Sequence, residues 1–130
     1  RPSVGALRRF LVYVTRDLNG EAKYSDVVKF CNQGESVIKV KVIYLGAFTR
    51  TGLEKYVKGI RLIFDNGVMV GEGNESTPIL SLGSGQCIKG TLIYYVDPEI
   101  TTQLNPVKIN LIKRGLMMIG GYQFDVVTAD

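Results

Sequence analysis

Hydrophobic and polar residues alternate along much of this chain with a period of two. The clearest case is VIKVKVIY, residues 37–44, where Ile38, Val40, Val42 and Tyr44 share one face and Lys39 and Lys41 share the other. A strand turns successive side chains to opposite faces, so this segment has one dry and one wet side. That pattern belongs to antiparallel sheets. CIKGTLIYYV, residues 87–96, repeats it, with Ile88, Leu92, Tyr94 and Val96 opposite Lys89 and Thr91. VKINLI, residues 107–112, aligns Val107, Ile109 and Leu111 in the same way, which predicts a further strand.

Other runs rich in β-branched and aromatic residues are RRFLVYV (8–14), VVKFC (27–31), YVKGIRLIF (56–64) and YQFDVV (122–127). Turn signals separate them: Asn19-Gly20, Asn32-Gln33-Gly34, Asp65-Asn66-Gly67, Gly83-Ser84-Gly85, Asp97-Pro98 and Gly120-Gly121. Helical spacing is poor. Leu53, Tyr56, Val57 and Ile60 come nearest to it, but Gly52 and Gly59 interrupt them, so 47–60 reads as a turn leading into a long strand, with one helical turn. Seven to eight strands joined by turns predict an all-β antiparallel β-sandwich over residues 1–130, a single domain.

Two segments depart from simple alternation. DNGVMV, residues 65–70, reads as a hairpin whose Asn66-Gly67 suits a type I′ turn, followed by a polar exposed loop at GEGNESTP, 71–78. LMMIGG, residues 116–121, is apolar at both parities. It predicts either a central strand buried on both faces or a strand whose second face meets a partner. In the second case Leu116, Met117, Met118 and Ile119 would form a homodimer contact.

Composition narrows the function. Hydrophobic residues are 45% and charged residues 22%, which marks a globular chain. No apolar run approaches the roughly 18 residues of a membrane helix. The chain opens on Arg1, so a processed product or a fragment is expected. The net charge of +4 is spread through the strands, and Arg8–Arg9 and Lys113–Arg114 are its tightest clusters. A nucleic-acid interface would concentrate the charge and interleave it with aromatics, so no nucleic acid is expected as a partner. Lys39 and Lys41 either solvate a sheet face or meet an acidic partner.

With no histidine, the serine and cysteine triads that need an imidazole base cannot form. Cys31 and Cys87 lack the companions of a zinc site. They are either one disulfide, which suits an extracellular domain, or two buried thiols. SLGSGQCIKGT lacks the GK[ST] of a phosphate loop, since Gly90 parts Lys89 from Thr91 and a strand follows. Gly90 then marks a bulge or a close approach. The carboxylate pairs Asp97/Glu99 and Glu72/Glu75 lie in turns, and DLNGE (17–21) reads as an Asx turn rather than a calcium loop. No enzyme, metal or cofactor is expected. Asn74-Glu75-Ser76 is an N-glycosylation acceptor in the most polar loop.

Two stretches, VVKFCNQGESVIKVKVIYL and ILSLGSGQCIKGTLIYY, together resemble the immunoglobulin-like domains of archaeal surface-appendage proteins, most of all the FlaF family of archaellum accessory proteins. The resemblance spans about residues 8–127. It implies an immunoglobulin-like sandwich carried outside the cytoplasmic membrane on an N-terminal helix that precedes this chain. It also implies a stator-like role beneath the surface layer, with the surface-layer protein and other archaellum components as partners and a homodimer as the assembled form. Two rivals share the strand pattern: the head of an archaeal pilin or filament subunit, and a carbohydrate-binding sandwich. The last usually stacks sugars on exposed aromatics, and this chain has no tryptophan.

Overall fold

The computed structural model describes residues 6–129. Eight strands form: β1 (Ala6–Val14), β2 (Gly20–Cys31), β3 (Ile38–Ala47), β4 (Val57–Phe64), β5 (Met69–Gly71), β6 (Leu80–Leu82), β7 (Cys87–Val96) and β8 (Gly120–Thr128). They make two four-stranded antiparallel sheets, ordered β1-β8-β3-β6 and β2-β7-β4-β5. The all-β sandwich and its strand number follow the alternation. In β3, Val40 and Val42 are buried between the sheets while Lys39 is exposed; in β7, Ile88, Leu92, Tyr94 and Val96 are buried while Lys89 is exposed.

The strand order is not that of an immunoglobulin domain. There, the first two strands are sheet neighbours. Here the first strand pairs with the last, and β4–β5 is the one consecutive pair that shares a ladder. This is the order of an eight-stranded jelly roll, two Greek keys folded together. Alternation records which side of each strand is dry but not which strand lies beside it, so the immunoglobulin-like expectation gives way on connectivity alone.

An aromatic chain ties the layers. Tyr44 and Phe124 lie 5.1 Å apart, Phe124 and Phe10 5.2 Å, Phe10 and Phe30 5.3 Å, and Phe30 and Phe64 5.9 Å. The Phe10–Phe30 contact crosses from one sheet to the other. Such pairs add about 0.5–1.5 kcal/mol each beyond the area they bury.

Three segments differ from expectation. Residues 107–112 are not a strand but part of helix α1 (Pro106–Lys113). Asn105 caps it, its Oδ1 accepting from the Lys108 backbone N–H, and Pro106 occupies the first turn. Cap and proline outweigh the alternation of a short segment. Ile112 is buried and Val107 lies 68% exposed, a helical rather than an alternating division. Leu116–Ile119 is not a central strand either. It is the turn between α1 and β8, and its double-parity apolarity has two separate causes: Ile119 is fully buried, whereas Leu116 is 63% exposed. The 65–67 turn is not type I′, which needs two left-handed residues; only Gly67 has positive φ, at 87°. Phe64 N–H donates to the Val68 carbonyl and Gly67 N–H to the Phe64 carbonyl, each at 2.8 Å, as in a glycine-bulge hairpin. The 47–60 segment does hold one helical turn, Glu54–Tyr56, before β4.

Gly90 is a close approach rather than a bulge: a Cβ there would lie 2.9 Å from Val28 Cγ1 and 3.1 Å from Phe64 Cε1. Gly90→Ala is expected to destabilise the fold by about 1–3 kcal/mol, the ordinary cost of overpacking. Chemical denaturation of the two proteins, with unchanged slope and a lowered midpoint, is the check.

Candidate functional site

The edge strands β1 and β2 face each other across the open side of the sandwich. Between them runs a groove of about 340 Å³ whose lining includes Leu11, Tyr13, Arg16, Tyr24, Val27 and Tyr94. The shape of β2 builds it. Tyr24 pairs with Leu92 and Val28 with Gly90, so β2 carries two more residues than β7 across this span. Asp26, at φ 54°, turns the extra segment, and Val27 remains 42% exposed at the groove. Arg16, at φ 74°, is the other non-glycine residue with positive φ among the described residues. Its guanidinium lies over Gly115, where a Cβ would meet Arg16 Nε at 2.7 Å.

One carboxylate organises the polar side of the groove. Asp17 Oδ2 accepts hydrogen bonds from the Tyr24 and Tyr94 hydroxyls, the latter at 3.1 Å. The two rings stack with centroids 6.1 Å apart. Burial raises the pKa of both phenols, and the neighbouring Asp17 carboxylate raises it further. They therefore remain protonated donors at any physiological pH. Asp17 does not make the expected Asx turn; its carboxylate turns to these phenols instead.

The opposite end is closed by Glu54. Its carboxylate accepts from the Thr49 hydroxyl at 2.6 Å, the Thr51 N–H at 2.9 Å and the Gly52 N–H at 3.0 Å. Thr49 Oγ1 in turn accepts from the Gly121 N–H at 2.8 Å, which fastens this loop to the start of β8.

Cys31 and Cys87 form a disulfide at the last register position of β2 and β7. Beside it Asn32 is buried. Its Nδ2 donates to the Ser36 and Leu82 carbonyls at 2.7 and 2.9 Å, and its Oδ1 accepts from the Gly34 N–H at 2.9 Å. The Leu82 bond reaches the other sheet, so the covalent bridge and the side-chain bridge clamp the same end.

The remaining sequence candidates are dispersed. Leu116 and Met118 face solvent, Met117 packs against the core and Ile119 is within it, so the four do not make one face. Lys39 is exposed and Lys41 half-buried on the outer face of the β1-β8-β3-β6 sheet. Asn74 stands exposed beyond β5. The paired acids have structural tasks: Asp97 caps the 98–103 turn and lies 3.3 Å from Lys58 Nζ, and Glu72 accepts from the Gly59 N–H. Among the described residues no cluster of His, Cys, Asp and Glu could hold a metal ion. No known family model matches the chain, and no curated protein matches it significantly in sequence.

Two measurements follow. Tyr94→Phe leaves Asp17 one donor short and is expected to cost about 1–2 kcal/mol in thermal or chemical unfolding, without change of fold. Burial pushes the Glu54 carboxyl up, but its hydrogen bonds outweigh that and hold it at about 2, against an ordinary 4.5. Its contribution to stability is thus complete above about pH 4.5 and is lost as the pH falls towards 2. Glu54→Gln should flatten the unfolding midpoint over that interval relative to the parent chain.

Proposed function

We propose that this chain is a non-catalytic structural domain of an extracytoplasmic assembly, holding its partner by surface fit rather than by chemistry. The observation that carries this reading is the sandwich with its disulfide-clamped end. Cys31–Cys87 belongs to an oxidising compartment, and the carboxylates that sequence could have assigned to catalysis are engaged in caps and loop closure. The finer form of the proposal is the one implied by the sequence resemblance: a stator-like archaellum component, anchored by an N-terminal helix ahead of this chain. It sits beneath the surface layer, binds the surface-layer protein and pairs with a second copy. The paired free edges of β1 and β2, with the groove between them, are its natural contact surface, since edge strands offer unpaired backbone groups to an incoming chain.

The strand order favours a second reading. Jelly rolls are common as the units of viral shells and as lectin domains, so a subunit that tiles with its own copies fits the β1-β8-β3-β6 and β2-β7-β4-β5 order. This is an analogy of fold. It takes the place of the pilin-head alternative, with the same principle of many copies in contact.

The purified domain is expected to co-sediment with surface-layer sheets and to stay small without them. Absence of co-sedimentation across a wide pH range would remove the anchoring form. Concentration-dependent growth into large particles in light scattering would select the self-assembling subunit.

A further inference from the structure

Asn74 lies in the sequon Asn74-Glu75-Ser76, and all three residues are exposed. The turn that carries it is well defined. Gly71 N–H donates to the Asn74 carbonyl at 2.8 Å, and Asn74 N–H donates to the Gly71 carbonyl at 3.0 Å. The Asn74 side chain is oriented as well: Nδ2 donates one hydrogen to the Met69 carbonyl at 2.8 Å. Its second N–H is free for substitution. Beneath it lies a shallow depression of about 500 Å³ with Arg61, Ile63, Met69 and Glu72 in its lining. Ile63 and Met69 are a cross-strand pair, and Met69 is 39% exposed at the free edge of its sheet.

We propose that Asn74 is an N-glycosylation site and that its first sugar rests on the Ile63–Met69 shelf. The donor is a polyisoprenyl-phosphate-linked oligosaccharide supplied by the membrane transferase of the exporting cell. A bond forms between Nδ2 and the sugar C1. The bond from C1 to the phosphate oxygen breaks, the lipid phosphate leaves with the electron pair, and Nδ2 loses one proton. The hydrogen that remains keeps the bond to the Met69 carbonyl, so attachment does not undo the turn. The link then departs over the shelf, where the apolar face of a sugar ring covers Ile63 and Met69 and the glycan bulk screens the β5 edge. This inference rests on the extracytoplasmic reading above.

The test expresses the full chain behind an export signal in a yeast that N-glycosylates secreted proteins, as the parent and as Ser76→Ala and Ser76→Thr variants. Ser76 Oγ makes one surface bond, to the Thr77 carbonyl, so both variants are expected to fold. Intact mass and peptide mapping should show a glycan on the peptide bearing Asn74 in the parent and in Ser76→Thr, and none in Ser76→Ala. A secreted parent with the Cys31–Cys87 bridge formed and Asn74 bare would overturn the site. Reduced Cys31 and Cys87 in the native cell would instead overturn the extracytoplasmic reading. Peroxide should oxidise Met69 at least about twofold more slowly in the glycosylated chain than after enzymatic removal of the glycan. Equal rates would overturn the shelf.

Discussion

The contact between Phe10 and Phe30 is the point at which two sheets become one core. Each ring belongs to an edge strand, and each leads inward: Phe10 to Phe124 and Tyr44 in one sheet, Phe30 to Phe64 in the other. Interiors pack at the density of organic crystals, so a chain of rings in van der Waals contact fixes the spacing of the layers. The glycine at 90 belongs to the same arrangement, because the approach of Phe64 and Val28 leaves no room for a side chain there. The groove at the open edge is the complement of this packing. Where the rings end, β2 bulges at 25–27 and the two edges stand apart.

Around that core, polar groups close the ends. Asn32 and the disulfide secure one end and Glu54 with Thr49 another, while Asp17 gathers two phenols beside the groove. On the outer face of the first sheet, Asp125 is only 8% exposed and takes both the Nε and Nη2 donors of Arg9, at 2.7 and 3.0 Å. The bidentate geometry explains why a largely covered carboxylate is tolerated in mid-sheet, and the Arg9 guanidinium holds its pKa below the usual range. These groups keep the sandwich in one geometry, which a domain that works by surface fit requires.

The layer structure was legible in the chain because burial on one face leaves a period of two, and β3 and β7 carry that period plainly. Helix α1 was misread because six residues of alternation also fit a helix that buries only Ile112 and part of Ile109. The Asn105-Pro106 pair was the local signal that could have corrected it. Leu116–Ile119 looked like one feature because a run of letters does not show that neighbouring side chains part company in a turn. The Asp17–Tyr24–Tyr94 cluster had no signature at all. Its members come together through the pairing of β2 with β7 and the fold of the preceding turn, and separations such as 77 residues carry no pattern. The pairing of Cys31 with Cys87 depends on the same register.

The ladder between β1 and β8 joins residue 6 to residue 127. During synthesis or translocation the first strand must therefore wait, unpaired along its length, until nearly the whole chain has emerged. Such distant pairings make sandwiches slow to fold, and an uncovered strand is exposed to wrong associations in the interval. Cys31 and Cys87, by contrast, are both available well before β8 arrives. Oxidation can thus join β2 to β7 first, presenting half of the finished barrel wall as a template on which the late strand closes.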